Sequence, residues 1–76
     1  MFDRISSNPA VLGGKPIIKG TRISVEMILE WIASGATRDE ILAAHRHLTA
    51  SDVEQALSYA ARSIKNDVLV TAEVTP

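Results

Sequence analysis

Two glycine-bounded basic segments, Gly13-Gly14-Lys15 and Lys19-Gly20-Thr21-Arg22, hold the residue types suited to chemistry on a phosphate. Glycines free backbone N–H groups to approach an anion, and a neighbouring lysine would neutralise it. The spacing does not support a nucleotide loop. The Gly-x-x-x-x-Gly-Lys-Ser/Thr pattern is absent, and 76 residues leave no room for the βαβ unit behind such a loop. The glycines therefore read as turn residues. Their cations remain: Lys15, Lys19 and Arg22, with Arg4 further upstream, are candidates for contacts to a nucleic-acid backbone.

Metal and nucleophile chemistry find less support. His45 and His47 stand at i, i+2, and Glu40 and Asp52 are the acids nearest them in sequence, but no third strong ligand follows at a familiar zinc spacing. No cysteine is present, which removes disulfides and thiolate metal sites. No serine, histidine and acid are arranged around a strand-elbow-helix turn, and the chain is short for a water-excluding pocket. The expectation is a protein that is not an enzyme and takes no metal or cofactor.

The elements that must position these residues fit one small domain. A single core of this size rarely supplies more than roughly 3–5 kcal/mol without a staple or a partner, yet 46% of the residues are hydrophobic. Part of that apolar area is expected to be covered by another chain. Neither a signal peptide nor a membrane span is apparent, so a cytoplasmic protein is expected. The net charge of −1 argues against a dedicated DNA reader. Charge is unevenly placed: four cations fall in the first 22 residues, and the chain from Ser24 onward is acidic.

The fold class expected is mainly α, a trihelical, helix-turn-helix-like unit with a short β-like N-terminal arm. Residues 1–23 form the arm and the Gly/Lys-rich loop, with Phe2–Ser6 and Pro16-Ile17-Ile18 as short strand candidates. Residues 24–66 hold three helices. Ser24 caps the first, which runs from Val25 to Ser34 and ends at Gly35. Its face is Val25, Ile28, Leu29 and Ile32, and Met27 and Trp31 make a second patch assigned to a dimer interface. Thr37 and Glu40 make a capping box for the second helix, and Leu48 plugs the following turn. Thr49 and Asp52 cap the third, with Val53, Ala56, Leu57, Ala60, Ala61 and Ile64 at helical spacing and an end at Asn66 or Asp67. Asp52 and Glu54 near the start of that helix would repel phosphate, which makes it a poor major-groove reader. Residues 67–76 form an apolar, strand-like tail that needs a cover.

The run Val11-Leu12-Gly13-Gly14-Lys15-Pro16-Ile17-Ile18-Lys19-Gly20-Thr21-Arg22-Ile23-Ser24-Val25 closely resembles the signature of the bacterial family known as domain of unknown function 433. Gly35 to Ile41, His47 to Val53 and Ala56 to Ala60 match as well, so the resemblance covers about residues 2–64. It implies a homeodomain-like or winged-helix-like fold and an antitoxin role similar to VapB-type antitoxins. The partner implied is a cognate PIN-like ribonuclease toxin, with a homodimer and operator DNA as further expectations. The tail lies outside the signature. Its Val68, Leu69 and Val70 are expected to bind the toxin, with Arg62 and Lys65 able to reach acidic groups of a nuclease. The alternative is a DNA-binding regulator without a toxin, using the basic loop.

Overall fold

The computed structural model describes the backbone of residues 2–71 and the side chains of residues 2–64. The chain forms a two-stranded antiparallel arm, β1 (Ile5–Ser6) and β2 (Ile17–Ile18), then three helices, α1 (Val25–Ala33), α2 (Arg38–Ala44) and α3 (Ala50–Thr71). The mainly helical class with a short β arm is therefore observed.

The arm pairs within the chain, with Ile5 opposite Ile18 and Ser6 opposite Ile17. A one-turn 3-10 segment, Leu12–Gly14, carries the chain between the strands. The chain then turns back at Gly20, whose φ of 79° is the left-handed conformation that glycine adopts without a Cβ penalty. The Ile18 N–H donates to the Ile23 carbonyl across that turn, and the Thr21 hydroxyl donates to the Ile18 carbonyl while accepting from the Ile23 N–H. The Val25 N–H donates to the Pro16 carbonyl, which sets the angle of entry into α1. The glycine-rich stretch is thus a folded entry to the first helix.

Each helix begins where the cap residues place it. Ser24 Oγ accepts from the Met27 N–H at 2.9 Å. The Thr37 N–H donates to Glu40 Oε1 and the Glu40 N–H donates to Thr37 Oγ1, a complete capping box. Asp52 and Thr49 exchange the equivalent pair at the start of α3. Helix α1 ends in a Schellman motif: the Ala36 N–H donates to the Trp31 carbonyl, the Gly35 N–H to the Ile32 carbonyl, and Gly35 takes a positive φ.

The core is a single cluster of Ile18, Val25, Ile28, Ile41, Leu48, Val53, Ala56 and Ala60. Ile28 is fully enclosed, a burial that stabilises by about 1.5–3 kcal/mol. Helix α3 packs chiefly against α1, and Ala56 and Ala60 allow the close approach. The third helix differs from expectation in two ways. Only Val53, Ala56 and Ala60 of its apolar set are buried, whereas Leu57, Ala61 and Ile64 face solvent. The helix also does not stop at Asn66 or Asp67: its backbone continues to Thr71, so residues 68–71 are helical rather than strand-like. A lone apolar segment without a strand to pair with satisfies its N–H and C=O groups within a helix. The part of the expected tail spanning residues 72–76 lies outside the described residues.

Candidate functional site

The N-terminal residues are strapped along one face of α3. Asp52, Gln55, Tyr59 and Arg62 stand at helical spacing, and each holds part of the segment from Phe2 to Arg4. Arg4 Nε donates to Asp52 Oδ1 at 2.6 Å, and the Arg4 backbone N–H donates to Gln55 Oε1 at 2.8 Å. Gln55 Nε2 donates to Asp3 Oδ1 at 2.8 Å. The Phe2 ring meets Tyr59 edge-on, with centroids 5.4 Å apart, and lies beneath the Arg62 guanidinium.

Asp52 is the buried anchor of this strap. Burial pushes its carboxyl up, but the Arg4 hydrogen bond and the donated N–H of Thr49 outweigh it, so the group is held below its ordinary value. The Asp52 hydrogen bond raises Arg4 in turn. Arg4 is thereby tied into the fold while its side chain stays 37% exposed.

The three basic loop residues are not equivalent. Lys15 Nζ donates to Glu26 Oε1 at 2.9 Å on the exposed face of α1, and the hydrogen bond and charge of Glu26 raise its ammonium. Lys19 and Arg22 flank the Gly20 turn, are exposed, and have no carboxylate partner among the described residues. The two acids near the start of α3 are paired as well, Asp52 with Arg4 and Glu54 with Arg38. Their charge is largely cancelled, so the repulsion expected at this helix end is weaker than the bare sequence implies.

The α1 patch also has an internal role. The Trp31 ring stacks on the His45 imidazole, with centroids 4.4 Å apart and 12° between planes, and Trp31 and Met27 are both half-buried. The i, i+14 relation of the two rings carries no local sequence signal, because it depends on how α1 and α2 pack. His47 meets His45 edge-on at 6.4 Å, and no group of three or more His, Asp or Glu able to hold a metal occurs among the described residues.

An apolar open surface lies between α1 and the second half of α3. A cleft of about 330 Å³ is walled by Pro16, Val25, Leu29, Tyr59, Ala60 and Ile64, with the Lys15–Glu26 pair at its rim. Among the described residues, Ile64 and Leu57 are the large hydrophobic side chains that α3 leaves exposed, at 51% and 37%. Beyond Ala60 no described side chain of α3 is buried. The assigned residues Val68, Leu69 and Val70 lie on this projecting helix, and their side chains are outside the described set. No described helix is long and apolar enough to cross a membrane.

Residues 5–60 match the model of a family described as protein of unknown function (DUF433). The crystal structure of a DUF433 member protein from Anabaena variabilis superposes with a TM-score of 0.79 at 33% identity, covering 84% of this chain and 63% of that one. Among curated proteins, the uncharacterized protein y4eO of Sinorhizobium fredii is 34% identical over 56 residues, which are 74% of this chain. The chain spans 25% of that relative's length.

Proposed function

The chain belongs to the DUF433 family, and from the role that its sequence resemblance implies, taken with the exposed apolar part of α3, we propose an antitoxin of the VapB type that binds a PIN-like ribonuclease toxin. The observation that carries this reading is the outrun of α3 past its core. The last buried side chain among the described residues is Ala60, Ile64 is exposed, and the helix continues to Thr71. A helix that leaves its own domain with apolar residues uncovered suits docking in a hydrophobic groove. Val68, Leu69 and Val70 belong to the docking segment in this reading, and Arg62 and Lys65 border it.

The test is co-expression with the product of the adjacent gene. The full chain should rescue growth and co-purify with the toxin, and a chain ending at Lys65 should do neither. Rescue by the truncated chain at the same level would overturn the docking role. Dimer formation through Met27 and Trp31 is part of the same proposal, and a monomeric mass by light scattering at micromolar concentration would remove it.

A second reading, operator binding, draws support from the exposed Lys19 and Arg22, which have no carboxylate partner among the described residues, and from the paired Asp52 and Glu54 of α3. Backbone contacts of this kind give affinity that falls steeply with salt. Lys19→Ala with Arg22→Ala should flatten that slope by about two contacts' worth, and Lys15→Ala should change it less, since Glu26 already holds the lysine.

A further inference from the structure

We propose that Phe2 and Asp3 are an internal competitor of DNA, holding on α3 the two side chains, Gln55 and Arg62, that would otherwise contact a duplex. This rests on the operator-binding reading above and adds to it a surface and a control. Ser51, Gln55, Ser58 and Arg62 stand at i, i+4, i+7 and i+11, a stripe on the side of the helix away from the buried Val53, Ala56 and Ala60. With Glu54 and Phe2 they line a depression of about 340 Å³. Its groups suit a duplex: glutamine and serine hydrogen-bond base edges and phosphate oxygens, and arginine neutralises phosphate.

Both key side chains are occupied from within the chain. Gln55 Nε2 donates to Asp3 Oδ1 and Gln55 Oε1 accepts from the Arg4 N–H, each at 2.8 Å, so both ends of the amide are engaged. The Arg62 guanidinium lies over the Phe2 ring, 5.4 Å from its centroid, and has no carboxylate partner among the described residues. Asp3 also sets a negative charge on this face, which disfavours an approaching phosphate. The cover is held less firmly than the residue that follows it. The Asp3–Gln55 bond is exposed, whereas Arg4 is anchored on the buried Asp52. Phe2 and Asp3 can therefore leave α3 while Arg4 stays. The Arg4 carbonyl accepts from the Lys19 N–H at 2.8 Å, so the cover adjoins the turn that carries Lys19 and Arg22. Uncovering α3 would extend that basic edge into one surface.

The experiment uses the full chain and a duplex of about 30 base pairs, nearly three turns of DNA, from the region upstream of its gene. Apparent affinity is reduced by the fraction of molecules whose face is open, so Phe2→Ala, which changes no charge, should tighten binding about tenfold. Adding Gln55→Ala and Arg62→Ala to Phe2→Ala should remove that gain. The Arg4–Asp52 pair and the β1–β2 pairing are untouched in these variants, so they should fold, which their urea midpoints check. A second measurement needs no variant. In a nuclear magnetic resonance titration of the wild-type chain, duplex should shift the Gln55 side-chain amide and remove the Phe2–Tyr59 ring contact.

Unchanged affinity in Phe2→Ala, a gain that survives loss of Gln55 and Arg62, or a Phe2–Tyr59 contact that persists in the complex would overturn the proposal. Where the wild-type chain still binds with steep salt dependence, those results remove the cover alone and leave operator binding standing. Binding by neither the wild type nor Phe2→Ala sinks operator binding and the cover together. A Phe2→Ala chain that captures more of the adjacent gene's product, but no more duplex, assigns the face to a protein and overturns the proposal too.

Discussion

Arg4 Nε lies 2.6 Å from Asp52 Oδ1, an ion pair between the start of the chain and a fully buried carboxylate on α3. Asp52 also accepts from the Thr49 N–H. One side chain therefore caps a helix and anchors the N-terminal arm.

Asp52→Ala should be the costliest polar substitution in the chain. Loss of a helix cap costs about 1 kcal/mol, and loss of a hydrogen bond to a charged group about 1.5–3 kcal/mol. The expected fall in unfolding free energy is about 2–4 kcal/mol, measured as a lower urea midpoint at unchanged slope. Asp52→Asn should lie between the variant and wild type, because its amide oxygen can still accept one bond.

The same carboxylate predicts a pH dependence. Its folded value lies below the ordinary 3.8, so the unfolded chain takes up the proton first. Its stabilisation is fully present above the unfolded value and declines as pH falls through the folded one. Stability should therefore drop from about pH 4 downward, and the drop should be shallower in Asp52→Asn. An identical acid limb in the two proteins would show that Asp52 does not set it.

Trp31 is the chain's one tryptophan, so its fluorescence reports the stack on His45 directly. His45→Ala should raise Trp31 emission and lower stability by about 0.5–1.5 kcal/mol, the range for aromatic pairs. Unchanged emission and stability in His45→Ala would separate the two rings in solution.

Two isoleucines test where the core ends. Ile28 is fully buried, and Ile28→Ala should cost about 2–5 kcal/mol. Ile64 is half-exposed on the projecting part of α3, and Ile64→Ala should stay within about 0.5 kcal/mol. A large loss at Ile64 would mean that α3 is covered by another chain in solution.

The sequence by itself determined the local events. Ser24, Thr37 with Glu40, and Thr49 with Asp52 start their helices, and Gly35 ends the first, because a cap is decided by residues within one turn of each other. The Gly/Lys-rich segment was legible as turn rather than phosphate loop for the same reason. The family was legible in its fifteen-residue block. The tertiary structure decided everything that joins distant positions. Asp52 and Arg4 are 48 residues apart, and no periodicity links them, so the sequence presents Arg4 as a free cation and Asp52 as a helix cap whose charge repels phosphate. Helical spacing put Leu57, Ala61 and Ile64 with the core residues of α3, but only Val53, Ala56 and Ala60 are covered by the rest of the fold. Which apolar residues are core and which are surface is set by what packs against the helix, and that is a property of the assembled fold.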